Sequence, residues 1–265
     1  MKTIAVIGAG NMGQALIAGL QSSYHQAQIE IKAATASQAS ADKVAKYFDI
    51  ACSTNNQTCA QDADLVIVAV KPYLMDQVLD EIKNSLKADA IIVTVAAGYS
   101  LIQAGVILGK EQAIVRIMPN TAVKIGKGVI AMTANDQVSA KDYQAVKDLF
   151  HRLGLVAEVS EDQFATITGL SGSSPTIVYM LIEAMSDAGC QQGLPRSQAQ
   201  SLAAQTVLGA AAMVVETGQH PGQLKDAVCS PAGTSIECVR KAEEKGLRTA
   251  AMEAVIAACQ KAKGK

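Results

Sequence analysis

The chain predicts an α/β fold, a doubly wound and mainly parallel sheet, followed by an all-α C-terminal domain. Three observations carry this. Short apolar runs alternate with segments of helical length over residues 1–160. Those runs are continuous rather than alternating, as expected for strands covered on both faces. After Ser160 the strand signal stops, and helical patterns punctuated by Gly and Pro take over. Strand–helix alternation implies parallel strands joined by right-handed crossovers.

In order, the strands are expected at 3–7, 29–35, 65–70, 91–95 and 113–118, with weaker runs at 129–132 and 155–159. Helical patterns lie between them, for example at 12–21, 43–47 and 74–86. The polar stretch 51–62 reads as a plain strand-to-helix connection. In the second half, helices are expected at 163–170, 175–191, 196–217, 222–228, 234–244 and 247–261. Pro175 and Pro195 suit first-turn positions, where a missing N–H is harmless, and Gly193 and Gly218 suit helix stops. The domains therefore divide as 1–160 and 161–265. The segment 202–215 is apolar almost all round, so it must be covered. Two covers stand open: a subunit interface, favoured because about 100 helical residues can hardly enclose it and homodimers are common, or the core of a monomeric bundle.

Composition narrows the function. With 265 residues, net charge −1 and 18% charged residues, the chain has no basic run of the kind that binds nucleic acid. Aromatics are 3% with no Trp, which disfavours stacking platforms. The six cysteines form no Cys-x-x-Cys pair and no His stands at metal-ligand spacing from them, so neither a metal site nor a disulfide framework is expected. No secretory leader pattern opens the sequence, and no apolar run reaches the roughly 18 residues of a membrane span. A cytoplasmic, soluble protein without a membrane partner is expected.

The run Gly8-Ala9-Gly10-Asn11-Met12-Gly13 follows the first strand and opens the first helix. In that context a Gly-x-Gly-x-x-Gly turn is a dinucleotide grip, and it makes the first domain Rossmann-type. Gly8 permits the tight turn, Gly10 lets backbone approach the pyrophosphate, and Gly13 lets helix and strand pack closely. The N–H groups at the helix start hold the phosphates. At the end of the second strand stands Ala34-Thr35-Ala36-Ser37-Gln38-Ala39-Ser40. A carboxylate there would bond a ribose 2′-hydroxyl and repel a 2′-phosphate. None is present, so NADP(H) is preferred and NAD(H) is retained as the second option, since no Arg accompanies the hydroxyls. Dinucleotides lie across the strand carboxyl ends, which brings in Ala69-Val70-Lys71-Pro72, Val95-Ala96-Ala97-Gly98 and Met118-Pro119-Asn120-Thr121. Lys71 reads either as a solvated cation or as a cofactor contact, and Asn120 as turn chemistry.

The helical half carries one unusual stretch, His220 to Ser235, which ends in Cys229-Ser230-Pro231-Ala232-Gly233-Thr234-Ser235. Hydroxyls and N–H groups at a helix start form either a carboxylate receptor or an ordinary cap. This stretch, together with Ser171-Gly172-Ser173-Ser174-Pro175 and Ala69-Val70-Lys71-Pro72, resembles the pyrroline-5-carboxylate reductase family. The likeness runs from the glycine turn to Glu243-Glu244-Lys245-Gly246.

The resemblance implies NAD(P)H-dependent reduction of L-1-pyrroline-5-carboxylate, a cyclic imino acid, to L-proline, by direct hydride transfer to the imine carbon. It implies a helical domain that dimerises and binds substrate, assembled as a dimer or a pentamer of dimers. It assigns cofactor contacts to Gly8, Ala9, Gly10, Asn11, Met12, Gly13, Ser37, Asn56, Val70, Lys71, Pro72, Ala96 and Ala97. Substrate contacts fall to Glu161, Ser230, Gly233, Thr234 and Ser235, with the Ser235 hydroxyl as the catalytic group near the ring nitrogen. Three departures from the family pattern stand out: Ala232-Gly233-Thr234-Ser235 where Gly-Gly-Thr-Thr is usual, Cys238 three residues on where another small residue is usual, and Ala122 in place of a Pro. No well-placed His offers a general acid, which fits imine reduction better than ketone reduction. The rival readings are a reductase of another imine, a β-hydroxyacid dehydrogenase using Lys225, and a dinucleotide-sensing regulator.

Overall fold

A computed structural model describes residues 1–24 and 29–264. The elements of the sheet-bearing part run β1 (Thr3–Ile7), α1 (Asn11–Ser23), β2 (Glu30–Ala34), α2 (Gln38–Phe48), β3 (Ala51–Ser53), α3 (Asn56–Ala60), β4 (Leu65–Val68), α4 (Met75–Ile82), β5 (Ile91–Thr94), α5 (Leu101–Leu108), β6 (Ile114–Pro119), β7 (Gly128–Ala134), α6 (Ala140–His151), β8 (Gly154–Glu158) and α7 (Phe164–Ile167). They are followed by α8 (Pro175–Gln191), α9 (Arg196–Thr217), α10 (Pro221–Ala227), α11 (Thr234–Glu244) and α12 (Leu247–Ala262).

The eight strands form one sheet in the order β3-β2-β1-β4-β5-β6-β7-β8. All pairs are parallel except β6 with β7. The connection between those two is a single 3-10 segment, Thr121–Ile125, too short for the crossover that parallel pairing needs. The polar stretch read as a plain connection in fact contains β3 and α3. Ala51, Cys52 and Ser53 pair with β2 at the sheet edge, where a strand needs little apolar character because one side stays in water. The α2 helix also begins earlier than its apolar pattern, because Ser37 caps it by accepting the Ser40 N–H.

Both sheet faces are covered. Ile4 and Val6 of β1 point into one apolar cluster with Leu16, Ile17 and Leu20 of α1 and Leu149 and Phe150 of α6. Ala5 and Ile7 point into the other, with Met75, Leu79 and Ile82 of α4 and Ala104 of α5. The four residues Ile4 to Ile7 are 0% exposed. Each large aliphatic buried in this way contributes about 1.5–3 kcal/mol, which explains the unbroken apolar runs. The strand order reverses between β1 and β4, so the crevice for a ligand opens at their carboxyl ends.

The chain divides into two compact units, residues 1–172 with 259–265, and residues 173–258. Residues 161–172 thus pack with the sheet. A π-helical turn, Thr168–Ser173, ends the first unit's share of this segment. Cys259 lies against Gly169, where an added Cβ would come within 2.3 Å of its Sγ.

In the second unit α8 and α9 pack together. Gly189 brings them close, since a Cβ there would stand 3.1 Å from that of Ala199. Yet Leu202, Leu208, Met213 and Val215 of α9 remain 52%, 57%, 50% and 82% exposed. The alternative in which α9 is the core of a monomeric bundle therefore fails. One chain leaves this apolar helix in water. No helix among the described residues is long and apolar enough to cross a membrane.

Candidate active site

The glycine turn separates by geometry into two structural glycines and one exposed one. Gly8 has φ +90°, and a Cβ on it would stand 2.7 Å from Val70 Cγ1 and 2.9 Å from the Ala69 carbonyl. Gly13 admits no side chain either, since a Cβ would meet the Gly8 oxygen at 2.5 Å. Gly10 differs: it is exposed, its φ is −77°, and an added Cβ would meet nothing within 4 Å. The chain's own packing gives no reason for glycine there. Open space at that point fits a ligand that approaches the backbone.

The N–H groups of Gly8 and Ala9 both donate to the Ala34 carbonyl, at 2.9 and 3.1 Å, and that of Gly10 donates to the Gly8 carbonyl at 2.8 Å. The donors here left without a protein partner among the described residues are those of the first turn of α1, at exposed Asn11, half-buried Met12 and buried Gly13, which a helix cannot satisfy internally. No side chain caps this end and no acidic residue lies in its first turn. The Gln14 amide donates to the Ala9 carbonyl at 2.8 Å and holds the turn in place. These features suit a dinucleotide pyrophosphate.

Around the turn, Ser37 and Ser40 lie exposed beyond β2, hydroxyl to hydroxyl at 3.0 Å. The carboxylate closest in sequence, Asp42, accepts from the Gln38 amide at 2.8 Å. Asn56 opens α3 and donates one amide hydrogen to Glu81 at 3.0 Å, so part of its capacity serves the fold. Val70 is half-buried against Gly8, whereas Lys71 and Pro72 are exposed at the strand end. Ala96 is buried and Ala97 exposed. Buried Tyr99 donates to Asp76 at 2.7 Å and ties the same loop to α4; burial, then this bond to a carboxylate, hold its phenol well above the ordinary range.

Glu161 belongs to the sheet-bearing unit. Its Oε1 accepts from Arg116 at 2.6 Å and from the Leu101 N–H at 2.8 Å. The Arg116 guanidinium also lies 4.3 Å from the Phe164 ring centroid. Sequence reasoning missed Arg116, although a lone cation inside the apolar strand Ile-Val-Arg-Ile-Met-Pro is a signal in itself. It missed Asn120 as more than turn chemistry as well. Buried Asn120 donates to the Ser171 carbonyl at 3.0 Å and accepts from the Val129 N–H at 3.2 Å.

Ser230, Gly233, Thr234 and Ser235 lie in the second unit, the first two on the loop between α10 and α11 and the last two opening α11. Gly233 donates to the Ser230 carbonyl at 3.0 Å, and a Cβ on it would clash with the Ser230 hydroxyl at 2.3 Å. Ala232 has φ +58°, a left-handed conformation that a glycine adopts without strain. No side chain caps α11, so its first N–H groups point outwards beside the Thr234 and half-buried Ser235 hydroxyls. Lys225 is paired with Asp226.

Comparison with known proteins adds the following. A family model described as pyrroline-5-carboxylate reductase dimerisation matches residues 161–265, and one described as NADP oxidoreductase, coenzyme F420-dependent, matches residues 3–98. A dimerisation module accounts for the apolar helix that one chain leaves uncovered. The chain is 44% identical to the pyrroline-5-carboxylate reductase of Escherichia coli over 98% of this chain and 97% of that one. The solved pyrroline-5-carboxylate reductase of Streptococcus pyogenes superposes with a TM-score of 0.87 at 33% identity, covering 99% of this chain and 98% of that one. That of Plasmodium falciparum, with NADP bound, superposes with a TM-score of 0.87 at 30% identity, covering 100% and 97%.

Proposed function

We propose that this chain, which belongs to the pyrroline-5-carboxylate reductase family, reduces L-1-pyrroline-5-carboxylate to L-proline with NAD(P)H, the last step of proline biosynthesis. The observation that carries the substrate assignment is the Ser230–Ser235 loop, a strained small-residue turn that delivers uncapped N–H groups and two hydroxyls at the start of α11. Such a helix start receives a carboxylate.

The residues divide the work as follows. Gly8, Ala9, Gly10, Asn11, Met12 and Gly13 hold the pyrophosphate through the first-turn donors of α1. Ser37 receives the 2′-phosphate of NADP at a strand end whose nearby carboxylate is engaged by Gln38. Asn56, Val70, Lys71, Pro72, Ala96 and Ala97 line the cofactor's path along the strand ends. The bound reduced nicotinamide supplies a hydride equivalent for the imine carbon. Ser230, Gly233 and Thr234 bind and orient the substrate carboxylate, which provides most of what an already electrophilic protonated imine needs. The Ser235 hydroxyl keeps the proton on the ring nitrogen. Glu161, which the resemblance places on the substrate side, has its Oε1 taken up by Arg116 and the Leu101 N–H, and we read it as a support of the site and not as a substrate contact.

We further read residues 1–160 as the dinucleotide-binding domain and 161–265 as the dimerisation and substrate domain, in a cytoplasmic dimer or pentamer of dimers. The engagement of Lys225 by Asp226 weighs against a lysine-dependent hydroxyacid dehydrogenase. Steady-state NADPH and NADH oxidation with pyrroline-5-carboxylate, acyclic imines and ketoacids tests the reading. Turnover of the cyclic imine with NADPH favoured over NADH is expected. No turnover of the cyclic imine by correctly folded protein overturns it.

A further inference from the structure

We propose that Arg116 and Glu161 are positioning residues that clamp the loop 96–98 through the N-terminus of α5. This rests on reading that loop as the one that faces bound nicotinamide. Four observations on the sheet-bearing unit support it.

Arg116 sits on β6 in register with Thr94, the last residue of β5, and its side chain is 8% exposed. A charge buried at that depth is weak evidence for stability, because desolvation offsets most of the attraction. Moreover, its Nε and the neighbouring Thr94 Oγ1 are buried without a protein partner. An apolar residue would complete this sheet face at less cost, so the charge is retained for what it holds.

What it holds is Glu161, through the 2.6 Å pair and the stacked Phe164 ring. The same Glu161 oxygen accepts the N–H of Leu101, the first residue of α5, at 2.8 Å. The rest of that helix start is closed by the Ser100–Gln103 capping box. These donors are committed to the protein, so the end of α5 is an anchor and not a ligand site.

The loop 95–100 runs directly into this anchor. Its other end leaves β5, and its middle is pinned where Tyr99 meets Asp76. Only Ala97 and Gly98 stand exposed between the pinned points, and Gly98 has φ +71° with nothing within 4 Å of an added Cβ. A two-residue span between fixed ends keeps its place only while both ends are fixed. Tyr99, which bounds the span, is held by Asp76 on one side and by the clamped Leu101 N–H two residues on, and loosening the Arg116–Glu161 pair removes the second of these holds.

The test is a titration of NADPH by its own fluorescence, without imine, on the full-length wild type and on Glu161→Ala, Arg116→Met, the double variant and Arg116→Lys. Steady-state kinetics with pyrroline-5-carboxylate follow on each. Either single removal is expected to weaken NADPH binding by about five- to tenfold and to lower kcat by about tenfold or more. The KM for the imine should stay within about twofold, because the substrate loop is untouched. The double variant should match the singles, since both break one clamp, and Arg116→Lys should recover part of the loss. Leu149→Ala, a cavity in the opposite sheet face, controls for instability: it should lower Tm and leave NADPH binding unchanged. If Arg116→Met does not fold, Glu161→Ala and Arg116→Lys carry the test, as Glu161 is 31% exposed. A raised KM for the imine with wild-type NADPH binding in Glu161→Ala makes Glu161 a direct substrate contact and overturns the clamp. Additive losses in the double variant overturn it too. Failure of the wild type itself to bind NADPH is a different result, and it refutes the cofactor reading.

Discussion

Alanine at Gly8 and alanine at Gly10 should fail in opposite ways. At Gly8 the side chain enters a left-handed conformation, φ +90°, with its Cβ 2.7 Å from Val70 Cγ1 and 2.9 Å from Ala69 backbone. The conformation costs about 1–2 kcal/mol, and forcing the neighbours apart costs about 1–3 more. The sum, about 2–5 kcal/mol, corresponds to a Tm loss of roughly 4–20 °C for a unit of this size. At Gly10 the backbone is extended and the space is open, so the fold should feel less than about 0.5 kcal/mol. The same Cβ projects where a pyrophosphate must approach, and NADPH binding should weaken at least about tenfold, an effect of about 1.4 kcal/mol. Thermal melts followed by circular dichroism, with NADPH titrated by fluorescence on both variants, give the two readouts. A Gly10→Ala protein that binds NADPH like the wild type, or that loses as much Tm as Gly8→Ala, would refute the division of labour between these glycines.

Ser235→Ala should lower kcat/KM for the cyclic imine by about a hundredfold if the hydroxyl manages the ring-nitrogen proton, with NADPH affinity unchanged; unchanged kcat/KM removes Ser235 from the mechanism. Ala232→Gly relieves a φ of +58° worth about 1–2 kcal/mol, offset by roughly 0.4–1 kcal/mol of unfolded-chain entropy. It should therefore stabilise the protein slightly in urea unfolding, and a destabilised variant contradicts the strain argument. Asp64→Asn tests the tie between β1 and the approach to β4, where the carboxylate accepts from Lys87 at 2.5 Å and from the Lys2 N–H at 2.6 Å. The Lys87 ammonium first, then the Lys2 N–H, depress the Asp64 pKa well below the usual carboxylate range. Its contribution is thus fully present above the unfolded value near ~3.9 and fades as pH falls through the lower folded value. The variant should lose about 1 kcal/mol at pH 7, a modest figure for a partly exposed pair. That gap to the wild type should narrow below about pH 4, and a gap independent of pH would exclude the ionic tie.

Much of this molecule is local, and local features are written in the sequence. Continuous apolar runs mark strands such as β1 and β4 because both sheet faces are covered. Pro175 and Gly218 mark where α8 begins and α9 ends because ring and missing side chain act on their own backbone. The Gly8–Gly13 turn and the Ser230–Ser235 loop are legible for the same reason: each draws its uncapped helix start and small residues from contiguous positions. Edge strand β3 was illegible, since a strand with one side in water needs no apolar signature. Only the tertiary structure could decide what non-contiguous residues do to one another. It decided that Gly8 and Gly13 serve packing while Gly10 faces open space. It decided also that Arg116, 45 positions before Glu161, takes hold of that carboxylate. Chain spacing does not determine such a pairing. It follows from the sheet register and the packing of Phe164, which bring β6 and the turn before α7 together in space.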